Sequence, residues 1–200
     1  SRPAAGETTR VSDSTMECLV IARHVFDLTG GAFDVSIGTG LPSLDLDPDG
    51  CLVHAGQGGV RLDLGGIGKG YAVDLMAELL EEWGIERALV HGGFSSVIAL
   101  EGPAGRDGWP LTLSDPASPA TVLAQLSVRQ TALGASGRRK GDHIVDPRTG
   151  RPVRGRRAAW VALPRPPRPG ADAETDREPR GAAAAVADAL TTAFMLLRVR

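Results

Sequence analysis

The chain has 200 residues, 42% of them apolar and 23% charged, with a formal net charge of −2. That length holds one domain with a substantial core, or two intimate subdomains. Near-neutral charge argues against nucleic acid as a main partner, and no apolar run reaches the length of a membrane span. Two cysteines, Cys18 and Cys51, lack metal-type spacing and define neither a disulfide framework nor a zinc site.

In chain order, the first ten residues read as loose. Ser12 or Ser14 caps a helix running to about Leu28, with Met16, Leu19, Val20, Ala22, Val25 and Phe26 as its apolar stripe. Thr29-Gly30-Gly31 ends it. Residues 32–38 read as a short strand or extended loop, 42–50 as a turn-rich connection, and 51–54 and 60–64 as strands. A second helix spans about 69–83, with Tyr71, Leu75, Met76, Leu79 and Leu80 inward and Gly84 as its stop.

Residues 88–90 and 97–100 are apolar strands flanking the turn at 91–96. Segments 111–113 and 121–126 are expected to continue that sheet. Residues 131–155 read as mostly loop around a strand-like 143–145, and 158–163 as another strand. Residues 164–181, rich in proline, arginine and acidic groups, read as an exposed insertion. A last helix covers about 182–197, with Val186, Leu190, Ala193, Phe194 and Leu197 on one stripe. Strands and helices mix without a βαβ rhythm, so the fold class is α+β, mixed sheets packed with helices.

The stretch Arg61-Leu62-Asp63-Leu64-Gly65-Gly66-Ile67-Gly68-Lys69-Gly70-Tyr71 runs an extended segment through four glycines into a helix. Such a turn lets the main chain approach a ligand, and helix-start amides favour an anion. The same run also serves as a plain strand-to-helix turn. It is not a P-loop, because Gly70 follows Lys69 where Ser or Thr is required, and it closes one residue too early for the dinucleotide fingerprint.

On the last helix, Asp188 and Thr192 stand four apart on one side with almost nothing charged beside them. A lone carboxylate there wants a cation, a metal or several donors. Carboxylate and hydroxyl oxygens suit a hard ion such as magnesium. An acidic residue favoured by the helix dipole is the plainer alternative. The stretch 138–157 is rich in arginine around Asp142-His143-Ile144-Val145-Asp146-Pro147-Arg148-Thr149-Gly150, and could attract a phosphorylated ligand.

Thr29-Gly30-Gly31-Ala32-Phe33-Asp34, the segment from Asp63 to Asp74, His143 to Gly150, and Ala187-Asp188-Ala189-Leu190-Thr191-Thr192-Ala193 occur in this order. Together they resemble the FAD:protein FMN transferases, the ApbE-type family, over nearly the whole chain. The resemblance implies a Mg²⁺-dependent enzyme that moves FMN from FAD to a threonine or serine hydroxyl of an acceptor flavoprotein, releasing AMP. It implies FAD contacts at Ala32, Phe33, Asp34, Asp63, Lys69 and Ile144. It implies metal contacts at the Gly66 carbonyl, Asp188, Thr191 and Thr192, and Asp188 or His143 as the base.

Two other readings are hydrolysis of FAD to FMN and AMP, and a non-catalytic flavin-binding relative. The sequence does not name a compartment; extracytoplasmic or membrane-associated action is what analogy with the family alone implies. The family's strand-bearing segment before the first helix is expected to be missing here, and the family's Asn-Ala-Gly-Gly-Asp turn reads His91-Gly92-Gly93-Phe94-Ser95-Ser96.

Overall fold

The computed structural model describes residues 6–138, 141, 143–165 and 182–197. A short strand, β1 (Thr8–Arg10), precedes α1 (Asp13–Leu28), a 3-10 turn at Leu41–Ser43, β2 (Leu44–Asp47) and β3 (Leu52–Ala55). Ser12 opens α1, its side chain accepting from the Thr15 amide. β3 lies between β1 and β2 in a three-stranded antiparallel sheet.

After the glycine run come α2 (Gly68–Glu82), β4 (Leu89–His91) and β5 (Ser96–Ala99). Next are β6 (Trp109–Asp115), β7 (Ser118–Val128) and β8 (Thr131–Gly137), then the two-residue strands β9 (Val145–Asp146) and β10 (Arg151–Pro152). β11 (Ala158–Pro164) and α3 (Ala183–Leu196) complete the order. A second antiparallel sheet runs β11-β8-β5-β4.

Helix α3 is the hub. It packs on α1, α2, β5, β8 and β11. Its alanines Ala185, Ala189 and Ala193 enter a core with α1, the first sheet and Ile67, whereas Ala184 joins Val73, Ala77, Ile98 and Leu100 in a second. Small side chains let backbones approach closely. A Cβ on Gly70 of α2 would stand 2.2 Å from the Ala184 carbonyl oxygen, and one on Gly134 of β8 would stand 2.6 Å from the Ala187 carbonyl carbon. Only glycine fits at either contact.

The structure confirms the α+β class and corrects several local expectations. Within the segment expected to be loose, Thr8–Arg10 pairs with β3, while residues 1–5 lie outside the described residues. The turn-rich connection at 42–50 contains β2. Residues 60–64 are not a strand; the extended segment is tied by the Asp63 amide to the Val35 carbonyl at 2.7 Å. β8 lies where a loop was expected. Its sequence TALGASG lacks a β-branched run because small residues are needed beneath α3. Among the described residues β6 and β7 pair with each other alone, as a separate hairpin.

Two helix faces also differ from expectation. Tyr71 of α2 is buried as expected, but Leu75, Met76 and Leu79 are exposed, and Val73, Asp74 and Ala77 are buried instead. On α3 the stripe holds at Val186, Leu190, Ala193 and Leu197 but not at Phe194, which is exposed, and Asp188 and Thr191 on the other side are buried too. Both helices turn their small and polar sides toward one another, which an apolar-stripe argument cannot anticipate. Of the expected insertion at 164–181, Pro164 ends β11 and Arg165 is buried in a bidentate pair with Glu81 (2.6 and 2.8 Å). Residues 166–181 lie outside the described residues.

Candidate functional site

The glycine run and α3 meet. α2 begins at Gly68 with Ile67 as its N-cap, which supplies no side-chain acceptor. Its first-turn amides therefore need partners from elsewhere. The Gly70 N–H donates to Asp188 Oδ2 at 2.9 Å. Ser96 of β5 donates its hydroxyl to the same carboxylate, 2.8 Å from both oxygens. The Lys69 ammonium stands 3.6 Å from Oδ2 and donates to the Gly65 carbonyl at 3.4 Å.

Asp188 is 3% exposed. Burial pushes its carboxyl above the usual carboxylate range, and Lys69, Ser96 and the Gly70 amide oppose that shift.

α3 is closed in the opposite sense. Ala182 gives its N-terminus no side-chain cap, and Asp74 of α2 accepts the Ala184 and Ala185 amides at 3.0 and 2.8 Å. Each helix thus supplies a carboxylate to the other's first turn. Asp74 is buried, which pushes its carboxyl up to about 7 against the pull of those two amides and of Arg165.

Thr191 and Thr192 take different places. Thr191 is fully buried; its hydroxyl donates to the Asp188 carbonyl at 2.7 Å and bonds Ser136 of β8 at 2.8 Å. The Thr192 hydroxyl lies 3.3 Å from Ser136 Oγ and faces the glycine loop. A Cβ on Gly66 would be 3.5 Å from Thr192 Oγ1 and 3.1 Å from the Phe33 ring. Phe33, Gly66 and Thr192 are therefore neighbours.

Ala32 and Phe33 are buried, whereas the Asp34 carboxylate accepts from the Ser36 amide and hydroxyl (2.7 Å each) and the Gly38 amide (2.9 Å). Asp63 Oδ1 accepts the Gly65 amide at 2.8 Å and so shapes the glycine loop. A Cβ on Gly38 would meet the Pro147 carbonyl at 2.3 Å, so the loop after Phe33 lies against the Asp146–Gly150 turn. Ile144 is buried with Val153 and Met195.

His143 is exposed, its Nδ1 3.2 Å from the Gly141 carbonyl. It forms no hydrogen bond with the Asp188 cluster among the described residues. Arg148 is paired with Asp146 through Nε and Nη2 (2.9 and 3.0 Å), which holds the Asp146 carboxyl below its ordinary value. Arg156 donates to the Phe194 carbonyl near the end of α3. Arg139, Lys140 and Asp142 lie outside the described residues.

The donor chemistry suits a hard cation. No group of three or more His, Cys, Asp or Glu that could hold a metal occurs among the described residues. Asp188, the Thr192 hydroxyl and the glycine-loop backbone are all oxygen donors, and the Lys69 ammonium already marks this place as one that takes positive charge. An ion held by one carboxylate, neutral oxygens, water and a substrate phosphate fits that description.

Sequence reasoning missed Ser96, Ser136 and Asp74. Ser96 lies 92 residues from Asp188, and nothing local in the 91–96 turn marks it as a carboxylate donor. Asp74 was legible only as the end of the glycine-loop motif.

The ApbE family model matches residues 39–175, more than half of the chain. A protein of Rhodobacter capsulatus named FAD:protein FMN transferase is 35% identical over 126 residues, 58% of this chain and 24% of that protein. Its namesake from Klebsiella pneumoniae is 30% identical over 118 residues, 54% of this chain and 35% of that protein. The match thus spans between a quarter and about a third of these curated relatives' length.

Among solved structures, the flavin transferase ApbE of Vibrio cholerae superposes with a TM-score of 0.75 at 22% identity, covering 96% of this chain and 67% of that one. The ApbE protein of Thermotoga maritima gives 0.77 at 23% identity, covering 96% and 68%. These two likenesses establish the fold. No helix among the described residues is long and apolar enough to cross a membrane.

Proposed function

The chain belongs to the ApbE family, and from that premise we propose that it is a Mg²⁺-dependent FAD:protein FMN transferase. In this reading it moves FMN from FAD to a Thr or Ser hydroxyl of an acceptor flavoprotein and releases AMP. The observation that carries the reading is the meeting of Asp188 and Thr192 with the Gly65–Gly70 loop, around the Lys69 ammonium.

Asp188, Thr192 and the Gly66 carbonyl would hold the ion; Thr191, behind them, fixes the Asp188 backbone. A magnesium ion there would neutralise charge gathering on the pyrophosphate oxygens. Lys69 is half exposed and places a positive charge at the helix start, where a phosphate is favoured. Phe33, beside Gly66, supplies an apolar wall for the dinucleotide, with Ala32 next to it. Asp63 and Asp34 hold the two loops that frame this wall, and Ile144 supports the third.

The acceptor hydroxyl must lose a proton. Asp188 is enclosed and already accepts from Ser96 and Gly70, so of the two candidate bases we assign that proton to the exposed His143.

The test is incubation with FAD, Mg²⁺ and an acceptor flavoprotein domain bearing a Thr or Ser flavinylation site, read by mass spectrometry. FMN-bearing acceptor with AMP supports the transferase, provided Asp188→Ala abolishes both products while remaining folded. Free FMN with AMP makes the protein a FAD hydrolase, and FAD that stays bound and unchanged makes it a non-catalytic flavin binder.

A further inference from the structure

We propose that Asp74 is a positioning residue that sets where Asp188 and Thr192 stand, an inference that rests on the metal-site reading above. Asp74 sits one turn beyond Gly70 on α2, is 2% exposed, and bonds to neither the glycine loop nor Asp188. Its two oxygens take the Ala184 and Ala185 amides of α3. One turn after Ala184, Asp188 takes the Gly70 amide of α2. The spacing is four residues on each helix, so two carboxylates and two helix starts close a reciprocal pair.

The pair acts as a ruler because the packing around it leaves no slack. At Gly70 and at Gly134 the backbone of α3 is too close to admit even a methyl group. No side chain of Ala182 or of the first α3 turn can replace the missing cap. Without the Asp74 carboxylate, the first turn of α3 keeps orphan amides in a buried place, and it must shift or fray to satisfy them. Either change moves Asp188 away from Gly70, and Thr192 with it from Gly66.

The test uses the full chain as Asp74→Asn and Asp74→Ser, the second retaining a hydroxyl acceptor in case the first fails to fold. Two readouts are taken: amide hydrogen exchange resolved by residue, and calorimetric titration with Mn²⁺. The expected result is that Gly70 loses protection together with Ala184 and Ala185, and that Mn²⁺ affinity drops roughly 10–100-fold, as for other groups that orient a ligand.

A merely local cap would expose Ala184 and Ala185 and leave both Gly70 exchange and Mn²⁺ affinity at wild-type values, which overturns the proposal. Coupled exchange in a protein whose wild type binds no Mn²⁺ upholds the positioning role and removes the metal-site reading alone.

Discussion

Ser96 shares its hydroxyl hydrogen between both oxygens of Asp188, at 2.8 Å from each, across 92 residues of sequence. β5 delivers it, with Ser96 paired in register with Gly134, directly under α3. Ser96→Ala leaves a buried carboxylate with one donor fewer. The expected cost is about 1–3 kcal/mol of unfolding free energy, read as a lower urea midpoint with an unchanged slope.

Asp74 makes stability depend on pH in a stated direction. Its carboxyl is pushed from 3.8 up to about 7 by burial. A group raised on folding favours the native state most below its unfolded value, and that contribution is lost as pH climbs through the folded value. Stability should therefore fall between about pH 4 and pH 7. Urea midpoints at pH 5 and pH 8 will show a smaller difference in Asp74→Asn than in the wild type; an equal difference removes Asp74 as the source.

Gly70→Ala reverses the propensity rule. In an open helix alanine is better than glycine by up to about 1 kcal/mol. Here the new methyl would lie 2.2 Å from the Ala184 carbonyl oxygen, which is backbone and cannot swing aside. Gly70→Ala should be strongly destabilised or insoluble. Gly68→Ala, with nothing within 4 Å, should melt at or above the wild-type temperature.

Lys69 separates binding from stability. Its side chain is 50% exposed and its ammonium is 3.6 Å from Asp188, an arrangement that contributes at most about 1 kcal/mol to folding. Lys69→Ala should leave the urea midpoint within that range and weaken FAD binding, with a shallower dependence on salt in calorimetry.

Much of this was legible locally. Ser12 capping α1, Gly84 ending α2 and the strands on either side of the 91–96 turn depend on contacts within a few residues, which a linear reading captures. The candidate site was legible as residue types: a lone carboxylate beside a hydroxyl on an apolar helix, and glycines around a lysine. What was not legible was the company they keep. β8 was hidden because its small residues serve the helix above it and carry no strand signal of their own. Leu75, Met76 and Leu79 made α2 look oriented the wrong way because its buried side is Gly70, Val73, Asp74 and Ala77, chosen for closeness to α3.

By itself, then, the amino-acid order determined the mixed α+β class, the main helices and their stops, and the family whose motifs it carries. Only tertiary packing decided that Asp188 is buried, that Ser96 and the Gly70 amide hold it, and that Asp74 returns the favour to α3. The physical reason is range. Caps, turns and periodicity act through neighbours in the chain, whereas a buried carboxylate takes donors from whatever backbone the close approach of glycine and alanine brings within 3 Å.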